Sequence, residues 1–221
     1  MKVEQLIENH PVLFHMAEEG TWPQIEEHGL LSTLALVDLF NPPSHVRQEI
    51  LGSVRRKSIT LQNPQHGVAV VRDQGPLKFL DRVLEEGTTF QEYLDLLNGR
   101  VFFWATYERL LRLLQAARYR GHAQTVLHID TRELLAAHPE AELAALNTGS
   151  VHVPNMPTRG KDTFLPVADY PYDTWRKRRG AAGDAVVEIT VPYAVPHVLD
   201  YVLRVEQWMG GQPVQVLYEG G

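Results

Sequence analysis

Short apolar runs, each closed by a capping or turn residue, set the rhythm of this chain. Residues 1–10 read as a polar amphipathic helix rather than as a signal peptide. Val12, Leu13 and Phe14 form an apolar run that brings His15 to the end of a predicted strand. Thr21 then caps a helix through His28, with Gln24 three residues on and Gly29 where a left-handed C-terminal residue is wanted. Residues 33–40 are apolar at nearly every position and predict a buried helix, which Asn41-Pro42-Pro43 stops. Ser44 caps a third helix through Ile50. Three helices in a row predict an N-terminal helical lobe packed against a following sheet.

Beyond the lobe, alternation over 58–61 and the run 67–71 predict strands, and 77–84 and 89–97 predict helices, the second with a Thr89–Glu92 capping box. Asn98-Gly99 turns the chain into the β-prone run 100–104. Thr106 caps a helix whose inner face carries Leu110, Leu111, Leu113, Leu114 and Ala117, leaving Arg109, Arg112 and Arg118 on the solvated side. A strand over 125–129, a helix from Asp130 or Thr131 to Ala137, and a short helix over 141–146 follow. A turn cluster at 147–150 opens a loop that reaches Asp184. The strand over 185–192 directs Val187, Ile189 and Val191 to the core, and Glu188 to the opposite face with Val186 and Thr190. There is no repeat and no low-complexity linker, so residues 1–221 read as one domain.

Composition narrows the class. With 221 residues, 44% apolar and 22% charged, the chain is an ordinary globular protein with room for a sizeable core. No run approaches the length of a membrane helix, so no membrane partner is expected. The absence of cysteine excludes disulfides and thiolate metal sites and fits a cytoplasmic protein. The histidines are scattered, and no metal site is expected. Neither a phosphate-cradling glycine loop nor a nucleophile elbow occurs. The net charge of −6 argues against a general polyanion binder. Against that background the long loop is locally basic, with Arg159 and then Trp175, Arg176, Lys177, Arg178 and Arg179. These residues suit phosphate neutralisation and base stacking, and equally a solvated loop partnered by Asp162, Asp169 and Asp173.

Three segments resemble the NAD-dependent ADP-ribosyltransferase fold, above all its DarT-like branch, which modifies nucleic acid. They are the Phe14-His15 strand with its capped helix and Gly29-Leu30, the aromatic pair Phe103-Trp104 closing a strand, and Glu188-Ile189-Thr190-Val191-Pro192 followed by Val195-Pro196. The resemblance implies an α+β fold with a split, mostly antiparallel central sheet, and a His–aromatic–Glu set binding NAD as substrate. It assigns Glu188 to catalysis, His15, Gly29, Leu30, Phe103 and Trp104 to the cofactor, and one arginine to the NAD-binding element. Arg56 is the candidate for that arginine, with Arg47 and Arg72 as competitors. Phe103 stands where the family commonly has Tyr, keeping a stacking face without the hydroxyl. Val186 stands where the protein-arginine-modifying members carry Gln or Glu, which disfavours a protein target. The implied activity is ADP-ribosyl transfer to a nucleic-acid base, DNA in preference to RNA, with a toxin or phage-defence role. The alternatives are an NAD glycohydrolase and an inactive nucleotide-binding module of the same fold.

Overall fold

Strand β1 (Val12–Glu18) is where the long-range contacts of the chain converge. On one side it pairs with β6 (Gln124–Asp130) along its whole length, from Val12↔Asp130 to Glu18↔Gln124. On the other it meets β5 (Arg100–Trp104) at a single registered pair, Phe14↔Trp104, and the two strands then part. The sheet has eight strands in the spatial order β12 (Gln212–Glu219), β11 (Val202–Met209), β6, β1, β5, β9 (Glu188–Pro192), β7 (Glu142–Ala144), β8 (Leu165–Pro166). All its registered pairs are antiparallel. The coordinates are a computed structural model and describe residues 1–154, 156–180 and 183–220.

Both faces of the sheet are covered. On one, Leu6 of α1 (Val3–Asn9), Trp22 and Ile25 of α2 (Trp22–His28), Leu134 of α7 (Thr131–Ala137) and Tyr172 of α8 (Tyr172–Arg179) pack on Leu13, Phe103, Leu127 and Ile189. On the other, Tyr93 and Leu94 of α5 (Phe90–Asn98) meet Ala144 and Phe164. Beside them, Leu110 and Leu114 of α6 (Tyr107–Leu114) meet Phe14, Met16 and Trp208. Each fully buried Leu, Ile or Phe contributes roughly 1.5–3 kcal/mol relative to exposure. The covering on both sides explains why residues 188–191 are all buried although they alternate between faces.

The N-terminal lobe is real but not wholly helical. Val37 and Phe40 of α3 (Thr33–Phe40) and Ile50 of α4 (Ser44–Leu51) bury against Leu61 and Val71 of the hairpin β3 (Ile59–Asn63) and β4 (Gly67–Val71). Its ends are capped locally: Ser32 Oγ accepts from Ala35 N at 3.1 Å, and Asn41 closes α3 with φ 44°. Thr89 and Glu92 form the expected capping box on α5. Asp130, in turn, accepts from two amides at the start of α7. Short strands β2 (Leu30–Leu31) and β10 (Ala194–Val195) pair with each other beside the lobe.

Several sequence expectations are corrected. His15 lies inside β1 rather than at its end. The helix expected over 77–84 is a single 3-10 turn at Leu80–Arg82, because the buried Leu77, Leu80 and Val83 recur every third residue, the period of that turn. The helix expected over 141–146 is β7, where pairing of Leu143 with Ile189 and Ala144 with Glu188 overrides a helix-prone composition. The long loop contains β8 and α8, with four basic residues in the last turn of α8, where they complement the helix dipole. Beyond β10 the chain makes a 3-10 turn at Val198–Asp200 and enters β11, which continues into the hairpin with β12.

Candidate functional site

Register decides which side chains share a surface, because directly opposed residues of antiparallel strands project from the same face. One transverse row runs His128↔Phe14, Phe14↔Trp104, Trp104↔Glu188 and Glu188↔Ala144. The opposite face carries His15, with its ring 5.8 Å from that of Phe103, and Phe103 opposed to Ile189. The sheet thus joins His15 to Phe103, and Glu188 to Trp104, on two different faces.

Glu188 opens β9 and is 4% exposed. Thr148 Oγ1 donates to its Oε2 at 2.7 Å, and the Thr148 amide donates to both carboxylate oxygens at 3.3 and 3.2 Å. Burial raises its pKa from 4.5 to about 7. The Thr148 bonds, and then the charges of Arg109 and Arg159, pull the other way. Its proton exchange therefore falls near neutral pH, a property that marks candidate functional groups.

The loop that supplies Thr148 is fixed from below. Arg159 is 2% exposed and donates to the carbonyls of Asn147, Ser150 and Pro157, while Tyr93 Oη donates to Thr148 O at 3.3 Å. Arg159 was expected to meet nucleic acid. Its burial corrects that: it is a clamp on the 147–150 turn.

The basic segment is corrected in the same way. Arg176 donates to Gly183 O and Tyr172 Oη, both at 2.9 Å, and Arg179 donates to the carbonyls of Asp184 and Ala145. These two side chains staple the end of α8 to the segment entering β9. Trp175 is half-buried, with Arg178 and Arg179 stacked on its ring at 5.3 and 5.1 Å. Lys177 and Arg178 are the exposed cations of the helix. Between α6 and this segment lies a cleft of about 410 Å³ lined by Glu108, Arg109, Arg112, Arg179, Gly183 and Asp184.

His15 stands where β1 and β5 separate, and side chains satisfy the backbone groups that lose their strand partner there. His15 Nδ1–H donates to Phe102 O at 2.8 Å, which leaves Nε2 as an acceptor. Arg72 Nη1 donates to Met16 O at 3.2 Å, and Arg72 also pairs with Glu18. Burial, with a smaller push from the Arg72 charge, lowers the His15 pKa to about 4, so the ring is neutral at pH 7.

Arg72 is therefore the arginine that acts on His15. Arg56 is exposed, and only its carbonyl is engaged, by Arg118. Its neighbour Arg55 takes the interior instead, donating to Ile50 O, Arg72 O and Asn98 Oδ1. Arg47 pairs with Asp38 on the surface. Phe103, 1% exposed, has no open stacking face, because the β5 register turns it into the core; Trp104 is partly exposed beside Glu188. Gly29 and the buried Leu30 have a structural role. At φ 77° a Cβ on Gly29 would lie 2.3 Å from Val195 O.

Thr148 had no sequence signal beyond the 147–150 turn cluster, while Arg109, expected on the solvated side of its helix, pairs with Asp184 at the end of the loop. Among the described residues no group of His, Asp and Glu is placed to hold a metal ion, and no helix is long and apolar enough to cross a membrane.

Fold and site together define an α+β protein with a large antiparallel sheet and one buried carboxyl that titrates near neutral pH. The chain belongs to a family of unknown function, DUF7002, whose sequence profile matches residues 11–202. That span includes His15, Trp104, Thr148 and Glu188. No curated protein matches the chain.

Proposed function

We propose that this protein transfers ADP-ribose from NAD to a base of nucleic acid, DNA in preference to RNA, with Glu188 as the catalytic carboxylate. The observation that carries this reading is Glu188 itself: a buried carboxyl at about pKa 7, beside a partly exposed Trp104. The strands bearing His15, the aromatic pair and Glu188 also lie side by side in the sheet, in that order. When the nicotinamide–ribose bond breaks, its electron pair leaves with nicotinamide and positive charge develops at the anomeric carbon. An ionised Glu188 stabilises that charge in a site of low dielectric. It then accepts the proton of the attacking base nitrogen or hydroxyl. In this reading Trp104 takes the stacking role first assigned to Phe103. His15 lies on the opposite face of the sheet from Glu188 and Trp104 and takes no part in holding the ligand, and Arg72 replaces Arg56 only as the arginine beside His15.

A second reading, hydrolysis of NAD by water, is favoured by one observation: Arg159, Arg176 and Arg179, three of the cations expected to face an acceptor, are spent on internal carbonyls. The test is incubation with NAD and DNA or RNA, with nicotinamide release and acceptor mass measured together. Glu188→Gln should lower release by on the order of 10²–10³. Unchanged release in that variant sinks both readings, and release without acceptor modification leaves hydrolysis.

A further inference from the structure

The positive cleft between α6 and the entry to β9 has a use that the internal staples do not consume. Arg109 and Arg112 are three residues apart on α6, so their side chains share one helix face, away from the buried Leu110 and Leu114. Like charges at that spacing repel unless an anion lies between them. Asp184 supplies one only in part: its Oδ2 accepts from Arg109 Nε at 2.6 Å, leaving both Nη groups of Arg109 beyond that ion pair. Arg112 is exposed, and among the described residues it has neither a hydrogen bond nor an ion pair.

Across the cleft, Arg179 is fixed by its bonds to Asp184 O and Ala145 O, and so it contributes charge from a rigid position. Three arginines face two carboxylates, Glu108 and Asp184, in a chain whose net charge is −6. A cleft with an excess positive charge on such a protein gathers anions locally. Lys177 and Arg178, exposed on the adjoining α8, extend the same potential outward. The guanidinium fork suits the paired oxygens of a phosphate. The cleft also adjoins the site, since Asp184 lies four residues before Glu188 and the Arg109 charge acts on Glu188.

We infer that the cleft lined by Arg109, Arg112 and Arg179 binds a backbone phosphate of a nucleic-acid strand, with Arg112 as its free ligand and Asp184 as the residue that positions Arg109. That the strand is the acceptor of ADP-ribose rests on the proposed transferase reading; the binding itself does not.

The experiment is fluorescence anisotropy of a labelled single-stranded DNA of about 20 nucleotides, a length that exceeds a typical site of roughly 4–16. The full chain is titrated without NAD, from about 50 to 200 mM salt. Arg112→Glu and Arg112→Gln touch no internal bond and should leave the melting temperature unchanged. Arg112→Glu should weaken binding about tenfold and reduce the salt slope by about one phosphate, with Arg112→Gln between it and wild type. Arg132→Glu, an exposed change on α7, should bind as wild type. Absence of binding by the wild-type protein at low salt overturns the inference, as does an Arg112→Glu loss no larger than that of Arg132→Glu. Intact DNA binding with a raised KM for NAD also overturns it, and assigns the cleft to the dinucleotide. If Arg112-dependent binding occurs but no nicotinamide is ever released, the cleft assignment stands and the transferase reading alone fails.

Discussion

Replacing Glu188 with Gln should change how the stability of this protein depends on pH, whatever reaction it performs. Glutamine keeps the size of the side chain and an oxygen for the Thr148 amide, but it cannot ionise. The wild-type carboxyl is carried from 4.5 to about 7 by burial under the 147–150 turn. At about 1.36 kcal/mol per pH unit, that displacement is worth about 3 kcal/mol. The folded pKa lies above the unfolded one, so the sign follows from proton linkage. Below pH 4.5 the group is protonated in both states and costs nothing. Between 4.5 and about 7 only the unfolded chain releases the proton, and stability falls as pH rises. Above 7 the buried carboxylate carries its full cost. His15, held down at about 4, acts oppositely: it withdraws stability as pH falls from 6.5 toward 4 and so masks the Glu188 slope in wild type. Thermal melts of wild type and Glu188→Gln at pH 4.5, 6 and 8 separate the two, since His15 is common to both. At roughly 2–4 °C per kcal/mol for a chain of this size, the variant should gain about 6–12 °C relative to wild type between the lowest and highest pH. Parallel melting curves across that range would show that Glu188 is not a buried titrating group.

Four further outcomes follow from the geometry. Gly29→Ala, which forces a Cβ into Val195 O at a backbone conformation suited to glycine, should cost at least about 2 kcal/mol in a denaturant titration; wild-type stability would refute the close approach. Arg55→Met leaves the carbonyls of Ile50 and Arg72 and Asn98 Oδ1 without their donor, and a loss of about 2–4 kcal/mol is expected in the same titration. Phe103→Ala should cost about 3–5 kcal/mol as a core deletion. Trp104→Ala should instead leave a folded protein whose melting temperature no longer rises with NAD, and an undiminished rise would remove Trp104 from the ligand site.

How far the sequence could be read depended on whether the deciding contact was local. Some caps and turns were legible because their chemistry lies within a few residues: Thr89 with Glu92, and Gly29 after His28. Thr21, Ser44 and Thr106, expected as caps, make no side-chain cap bond, and Pro43 rather than Ser44 precedes the first turn of α4. The face of Glu188 was legible too, since Val187, Ile189 and Val191 alternate with it. The choice between Phe103 and Trp104 was not, because the run of residues 100–104 is apolar on both faces, and only pairing with β9 says which aromatic turns inward. Ala141 to Leu146 has the composition of a helix and becomes strand only between two distant partners, Leu165 on one side and Ile189 on the other of Leu143. The arginines failed for a related reason. Charge marks a residue as surface by default, whereas Arg55 and Arg159 are buried by carbonyls that no local pattern announces.

The pairing of β1 has a consequence for the order in which the protein can form. Leu13 waits for Ile129, 116 positions later, and Phe14 waits for Trp104, 90 positions later. No hairpin can nucleate the middle of such a sheet: β3 with β4 forms a separate hairpin, and β11 with β12 is a local pair at the sheet's edge. Sequence separations of this size make folding slow. At about 5–20 residues per second, synthesis leaves β1 without its β6 partner for on the order of ten seconds. During that interval Leu13, Phe14 and Met16 belong to an open edge. The α3–α4 lobe with its own hairpin is the one part of the N-terminal half that can close before the ribosome reaches β5.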